Sequence, residues 1–182
     1  MRRSAGSSRT SRSRWSTPTV HNQVVREKLD LVLVGCVKSK RPVRAAGVPA
    51  ADLYDSPLWQ SRRDYPERAG VTWFILSAEH CLLAPETSIC WYDTSLADFT
   101  VADRRNWSGR VLNGLRVAMP MLAGVIVEIH AGKLYYGHGL LHGLRAAGAI
   151  VRVPLRRVAG IGQQCRWYRE QAAALPREER KG

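Results

Sequence analysis

Glu128 and His130 lie two positions apart in the otherwise apolar segment 125–130. Alternate residues of a strand point to the same face, so the carboxylate and the imidazole would be neighbours. Such a pair can act as general acid and base. A structural ion pair is the alternative, but a carboxylate within an apolar strand has a desolvation cost, which favours a functional role. We therefore predict catalytic roles for Glu128 and His130.

A second set of reactive side chains follows another apolar run, in the sequence Gly-Cys-Val-Lys-Ser-Lys at 35–40. A tight turn with one hydroxyl and two ammonium groups can hold a phosphate or carboxylate, so Lys38, Ser39 and Lys40 are candidate substrate ligands. A solvated basic loop is the alternative, and the residue order is not that of a Walker A loop. Cys36 beside Lys38 is a candidate nucleophile, although buried cysteines more often only pack.

Further polar and aromatic side chains extend this predicted site. Ser77 and His80 follow a third apolar run and are candidate substrate ligands. Tyr92 and Tyr135 could stack on a base while Asp93 holds a ribose. The alternative is that these aromatic residues pack as lids over the core.

Short apolar runs that alternate with helical patterns must position these residues. Strands are predicted at 31–34, 71–76, 125–130 and 150–153, because each run is apolar and ends at Gly, Ser or charge. Helices are predicted at 50–54, 57–68, 96–119, 132–147 and 162–175, with Ser56 as an N-cap, Pro57 in a first turn and Gly70 as a stop. The connection 79–95 is predicted to be irregular.

This alternation predicts a single α/β domain of three layers, with a mostly parallel sheet between helices. Ligands of such sheets bind at the carboxyl ends of the strands. Three successive strand ends carry Lys, Ser, Glu or His, so we expect one pocket there. The predicted organisation is a disordered Arg/Ser-rich tail at 1–28, the α/β domain at 29–176 and a flexible C-terminus at 177–182.

The charge is strongly positive, since 28 basic and 15 acidic residues give a formal net charge of +13 over 182 residues. Such a charge favours nucleic acid or a nucleotide-like ligand as partner. Residues 1–28 carry seven basic residues and one acid and have little to bury, which predicts disorder. This tail could be a phosphate-binding arm, a transit peptide or only a solubilising segment.

The four cysteines form no C-x-x-C pair and no dense framework, which indicates reduced thiols and a cytoplasmic protein. The spacing of Cys36, His80, Cys81 and Cys90 matches no familiar zinc pattern, so no metal is predicted. The sequence has no nicotinamide or flavin signature, and we predict no cofactor. No apolar run is long enough for a membrane span, and the sequence does not indicate an oligomeric state.

Several of these blocks together resemble a domain-of-unknown-function family common in actinobacteria and their phages. The resemblance covers about 30–170 and rests on the blocks 35–40, 53–58, 74–85, 92–93, 128–132, 153–155, 160–162 and 167–168, with Tyr135. That family is distantly similar to the peroxide-stress protein YaaA, which implies DNA binding and protection from oxidative damage. A second distant likeness, of 36–40 to a Cys-Ser-x-x-Lys block, is to the amidine-forming domain of archaeosine synthase. Cys81 stands where the family usually shows Gly, which matters if that position needs a positive φ.

Two functions follow as expectations. The first is an enzyme that acts on a nucleobase, nucleoside or nucleic acid by N-glycoside or base-modification chemistry, with Glu128 and His130 as acid and base. The second is a non-catalytic, sequence-independent DNA-binding protein linked to oxidative-stress protection.

Overall fold

The computed structural model describes residues 28–42 and 47–174. The predictions for the tail up to residue 27 and for the C-terminus at 177–182 lie outside these residues. Within the described residues the strands are β1 (Leu31–Gly35), β2 (Val48–Pro49), β3 (Thr72–Ser77), β4 (Cys81–Leu83), β5 (Ser88–Ile89), β6 (Ile126–His130) and β7 (Ile150–Arg152). The helices are α1 (Ala50–Leu53), α2 (Pro57–Ala69), α3 (Val101–Ala118), α4 (Lys133–Tyr136), α5 (Leu140–Ala146) and α6 (Ile161–Ala174), with a 3₁₀-helix at Pro154–Arg157.

Five of the strands form the central sheet, in the order β4-β3-β1-β6-β7. β1 pairs in parallel with β3 and β6, and β6 pairs in parallel with β7. Only β4 runs antiparallel, at the edge beside β3. The predicted mostly parallel sheet is therefore confirmed, and the carboxyl ends of β1, β3 and β6 meet at one edge.

Helices cover both faces of this sheet. Leu31 and Leu33 of β1 pack with residues of α3 and α5, among them Trp107, Val111 and Leu140. Val32 and Val34 face the other way, into a cluster that contains Trp59 of α2. α6 packs on α2 through Leu58 and Tyr168. The α/β architecture with helices on both faces is confirmed, and it follows from β1 being apolar on both sides.

The ends of α2 form where the sequence predicts them. The Ser56 hydroxyl accepts a hydrogen bond from the Trp59 amide at 3.0 Å, Pro57 is the first helical residue, and Gly70 ends the helix with φ 61°. α3 begins later than predicted, because Thr100 and Asp103 form a capping box that fixes its start at Val101.

The secondary structure predicted for two segments was wrong in detail. The connection 79–95 was expected to be irregular, but it contains β4 and β5, because a three-residue turn brings β4 back along β3. The single helix expected at 132–147 is two helices, α4 and α5, separated at Gly137–Gly139. Gly139 has φ 120°, a backbone conformation that an L side chain rarely adopts and that a continuous helix excludes.

No helix in the described ranges is long and apolar enough to cross a membrane.

Candidate functional site

Cys36 lies at the carboxyl end of β1, in the first position after the strand. Its amide continues the pairing with β3 by donating to the Leu76 carbonyl at 3.0 Å. Its sulfur is 3.1 Å from the hydroxyl of Tyr135 on α4, and that hydroxyl is also 3.3 Å from the Cys36 carbonyl. Gly35 permits this arrangement, since a Cβ there would lie 2.7 Å from the Cβ of Ala131. Local packing therefore fixes the thiol beside a phenol.

Three buried hydroxyls near this thiol form a hydrogen-bonded group of their own. The hydroxyls of Tyr54 and Tyr92 are 2.6 Å apart, and the Tyr92 hydroxyl is 2.9 Å from the Ser77 Oγ. The Ser77 Oγ also accepts from the His80 amide at 3.0 Å. We call Cys36, Tyr54, Ser77, Tyr92 and Tyr135 the Cys36 network. Its five members come from five separate segments of the chain.

The phenols of this network remain protonated at neutral pH. Burial, reinforced by the neighbouring Cys36, raises the pKa of Tyr54, Tyr92 and Tyr135 well above the ordinary value of a tyrosine. A protonated phenol beside a sulfur can donate a hydrogen bond to it. The network can therefore stabilise negative charge that develops on the Cys36 sulfur during a reaction.

A cavity of about 130 Å³ opens in front of Cys36. We call it the Cys36 cavity, and it is lined by Cys36, Val37, Lys38, Lys40, Asp93, Thr94, Ser95, Asp98 and Tyr135. The Lys40 ammonium stands 4.4 Å from the centre of the Tyr92 ring, within cation–π range. Two lysines and two aspartates are thus part of the lining. The lining therefore suits a ligand with both hydrogen-bond donors and acceptors better than a simple anion.

The structure brings together most of the predicted strand-end residues. Those that line the cavity are Cys36, Lys38, Lys40, Asp93 and Tyr135. Ser77 and Tyr92 are buried behind them, and the exposed His80 ring meets Tyr92 edge to face at 5.2 Å. Ser39 does not line the cavity; its side chain is exposed, and its carbonyl accepts from the Asp55 amide.

Glu128 and His130 are neighbours on one face of β6, as predicted. Their side chains meet at 3.0 Å through His130 Nε2 and Glu128 Oε2. The Tyr65 hydroxyl donates to the same carboxylate oxygen at 3.0 Å, and the Tyr168 hydroxyl lies 2.8 Å from His130 Nδ1. We call these four residues the Glu128–His130 network. Neither Glu128 nor His130 lines the Cys36 cavity.

The imidazole of this second network is closed to solvent, while the Glu128 side chain is 12% exposed. The His130 side chain is fully buried, and the rings of Tyr65, Trp167 and Tyr168 lie 4.8, 5.7 and 5.5 Å from it. Burial, together with the nearby Arg62 guanidinium, lowers the pKa of His130 despite the opposing effect of Glu128. Burial alone would raise the pKa of Glu128, but the hydrogen bonds from His130 and Tyr65 hold it below its usual value. The pair is thus a neutral imidazole that donates to a carboxylate, with both ring nitrogens occupied.

Arg62 on α2 lies between the two networks and was not predicted. Its Nη1 donates to the Gly35 carbonyl at 2.9 Å and its Nη2 to the Gln164 side chain at 3.3 Å. It is 7% exposed, and its Nε has no hydrogen-bond partner among the described residues. The helical spacing of the sequence could have indicated Arg62, since Leu58, Arg62 and Tyr65 lie four and three positions apart and so share one helix face.

Two further sequence predictions concern cysteines. Within the described ranges, no three His, Cys, Asp or Glu side chains are grouped so as to hold a metal ion. Cys36, Cys81, Cys90 and Cys165 are all free thiols. Cys81 has φ 63°, and it alone among the described non-glycine residues has a positive φ. The position thus has the left-handed backbone that favours glycine.

The fold and the cavity define an α/β protein with a candidate site at the carboxyl edge of a parallel sheet. The chain belongs to a family of unknown function, DUF6884, whose profile matches residues 31–170. The match spans both networks. No curated protein and no solved structure matches the chain.

Proposed function

We propose that this protein is an enzyme that modifies a nucleobase or nucleoside bound in the Cys36 cavity. The observation that carries the proposal is the meeting of one thiol, two lysines and two aspartates around a cavity at the strand ends. The cavity, at about 130 Å³, is close to the roughly 150 Å³ cavity known to hold one benzene. It therefore fits a single planar ring, with a sugar or phosphate extending outward.

The lining residues suit such a ligand. Asp93 can accept from a base amino group or from ribose hydroxyls, and the ammonium groups of Lys38 and Lys40 can bind ring carbonyls or a phosphate. In this proposal the Cys36 thiol gives its proton to solvent in the cavity, and the thiolate adds to an electrophilic carbon of the bound ring as a ring double bond opens and its electron pair moves onto a ring heteroatom. The Tyr135 hydroxyl, 3.1 Å from the sulfur, donates a hydrogen bond that stabilises the thiolate before it attacks.

The Glu128–His130 network takes a different role in this proposal from the one expected from sequence. His130 is fully buried and both of its ring nitrogens are hydrogen bonded, so it has no free atom for a substrate. We infer that the pair supports the fold beneath α2 and α6, and that Arg62 connects it to the strand end that carries Cys36.

The test is a ligand screen followed by turnover measurements on the full chain. Nucleobases, nucleosides and nucleotides are screened by thermal shift, since a ligand of the folded state raises the unfolding midpoint. We expect one such ligand class to stabilise the protein, Asp93→Asn to lose that stabilisation, and Cys36→Ser to keep binding but lose turnover.

Cys90→Ser is the matched control, because Cys90 is an exposed thiol that does not line the cavity. Turnover that survives in Cys36→Ser but is lost in a stably folded Glu128→Gln would overturn the proposal and return catalysis to the pair.

Sequence-independent DNA binding is the second candidate, and the observation that favours it is the net charge of +13. With this candidate we also propose a distant relationship to YaaA, a cytoplasmic location and an actinobacterial origin. It requires an affinity that falls steeply with salt and is reduced when residues 1–27 are removed. Filter binding of duplex DNA over a salt series, with Cys36→Ser as a variant that should bind normally, separates it from the enzyme.

A further inference from the structure

A second cavity, of about 420 Å³, lies between α3 and the segment that joins α4 to α5. We call it the α3–α5 cavity, and it is lined by Arg105, Ser108, Gly109, Leu112, Gly137, His138, Gly139 and His142. It shares no lining residue with the Cys36 cavity. Its volume lies in the range of about 300–1,000 Å³ that is typical of small-molecule sites.

The lining of this cavity contains one cation and two imidazoles. Arg105 is permanently charged, and His138 and His142 each offer ring nitrogens. None of the eight lining residues is acidic, whereas the Cys36 cavity has two aspartates. The α3–α5 cavity therefore favours an anion.

Ser108 supplies an independent indication of a missing partner. Its residue is 1% exposed, and its hydroxyl has no hydrogen-bond partner among the described residues. Buried hydroxyls are normally paired, and a serine within a helix can bond the carbonyl one turn earlier, which this one does not. An acceptor atom in the cavity would satisfy this hydroxyl.

Glycines keep the cavity open. A Cβ at Gly109 would meet nothing within 4 Å, so the space beside this turn of α3 is empty. Gly143 allows α5 to pack closely on α3, since a Cβ there would overlap the Leu112 side chain. Leu112 thus forms an apolar floor next to the basic groups.

We propose that the α3–α5 cavity binds the phosphate group of a small phosphate monoester. Arg105 and the two imidazoles meet the phosphate oxygens, Ser108 donates its hydroxyl proton to one of them, and the organic part lies on Leu112. This site is separate from the proposed catalytic cavity and does not depend on the reaction assigned to it.

The experiment is calorimetric titration of the full chain with inorganic phosphate and with phenyl phosphate. We expect both to bind, phenyl phosphate more tightly, with chemical-shift changes confined to the His138 and His142 imidazoles among the histidines. Arg105→Gln should weaken binding by about tenfold, the equivalent of one charge-assisted hydrogen bond. Gly109→Leu should also weaken binding by about tenfold, because the leucine side chain would fill the cavity. Leucine is compatible with the helix at this position.

Arg110→Gln is the matched control, since Arg110 is exposed on the same helix and does not line the cavity. It should leave both affinities within about twofold, as surface substitutions away from a site usually do. Cys36→Ser should also leave them unchanged, which separates failure here from failure of the proposed enzyme.

Three outcomes would overturn the proposal. Equal weakening in Arg105→Gln and Arg110→Gln would indicate diffuse surface charge. Binding lost in Lys40→Ala but kept in Gly109→Leu would place the phosphate in the Cys36 cavity. Binding of a short oligonucleotide without any binding of phenyl phosphate would assign the basic surface to nucleic-acid backbone.

Discussion

The Cys36 network and the Glu128–His130 network begin at neighbouring strands of one sheet, but they differ in which residues reach a cavity. Cys36 itself lines a cavity, whereas in the second network Tyr65 and Tyr168, and not Glu128 or His130, line a cavity of about 230 Å³ between α2 and α6. Cys36 follows the last residue of β1, where the chain leaves the sheet, and its sulfur lies at the cavity wall. Glu128 and His130 are within β6, where α2 and α6 cover the sheet face. The side chains in both groups are of types that do chemistry.

The comparison shows which positions of this fold keep a reactive side chain accessible. A polar side chain inside a parallel strand is covered by the helix layer and must find its partners in the protein. A polar side chain just beyond the strand can retain an open side. Position relative to the strand end, rather than residue type, separates the candidate site from the buried network.

The largest expected effect is on the buried network. His130→Ala should lower the free energy of unfolding by about 3 kcal/mol, because it removes a buried ring and takes one hydrogen-bond partner from each of Glu128 and Tyr168. Urea denaturation measures this. Lys38→Ala, an exposed residue of the Cys36 cavity, should change stability by less than about 0.5 kcal/mol. Wild-type stability in His130→Ala would contradict the structural role.

A smaller loss is expected on the cavity side. Tyr92→Phe should cost about 1–2 kcal/mol of unfolding free energy, because the buried hydroxyls of Tyr54 and Ser77 each lose a partner. Tyr136→Phe is the matched control, since Tyr136 is equally buried and its hydroxyl has no hydrogen bond to any other residue in the described ranges. Equal losses in the two variants would mean that the hydrogen bonds of the Tyr92 hydroxyl contribute nothing specific to the free energy of unfolding.

The two networks should also differ in their response to acid. His130 is neutral when folded and takes up a proton more readily when unfolded, so the unfolded state binds more protons below about pH 6.5. Stability should therefore fall as the pH drops below 6.5, and Glu128 should add to the loss below 4.5, because its folded pKa is also lowered. Urea midpoints from pH 8 to pH 4 measure this slope.

His130→Gln should remove the part of this slope that begins near pH 6.5. Tyr92→Phe should keep it, since the phenols of the Cys36 network titrate far above this range. If stability falls with acid in His130→Gln as it does in the wild type, groups other than His130 cause the fall.

The smallest effect is expected at Cys81, next to the Cys36 network. Cys81→Gly should raise the free energy of unfolding by about 0.5 kcal/mol, because relief of the left-handed strain exceeds the added chain entropy of glycine. Thermal unfolding is a sufficient measure. Cys81→Ala should give no gain, and an equal gain there would show that backbone strain is not the cause.

Local patterns predicted the sheet and the ends of α2, because interactions between residues close in sequence determine both. β1 and β3 are apolar runs that end at Gly and Ser, and Ser56, Pro57 and Gly70 act on their own helix. The same patterns missed β4, since a three-residue edge strand is defined by its pairing with β3 rather than by its composition. The same patterns predicted one helix in place of α4 and α5, because the φ of Gly139 depends on the turn as a whole.

The order of residues is enough to predict the alternation of strands and helices, the proximity of Glu128 to His130 and the position of Cys36 at a strand end. Each of these follows from a periodicity of two or a break in an apolar run. The burial of His130 under α2 and α6, the contact of Tyr135 with Cys36 and the hydrogen bond from Arg62 to the Gly35 carbonyl depend on the folded arrangement of the layers. Those contacts link residues from 27 to about 100 positions apart, and the packing of layers, not local sequence, brings them together.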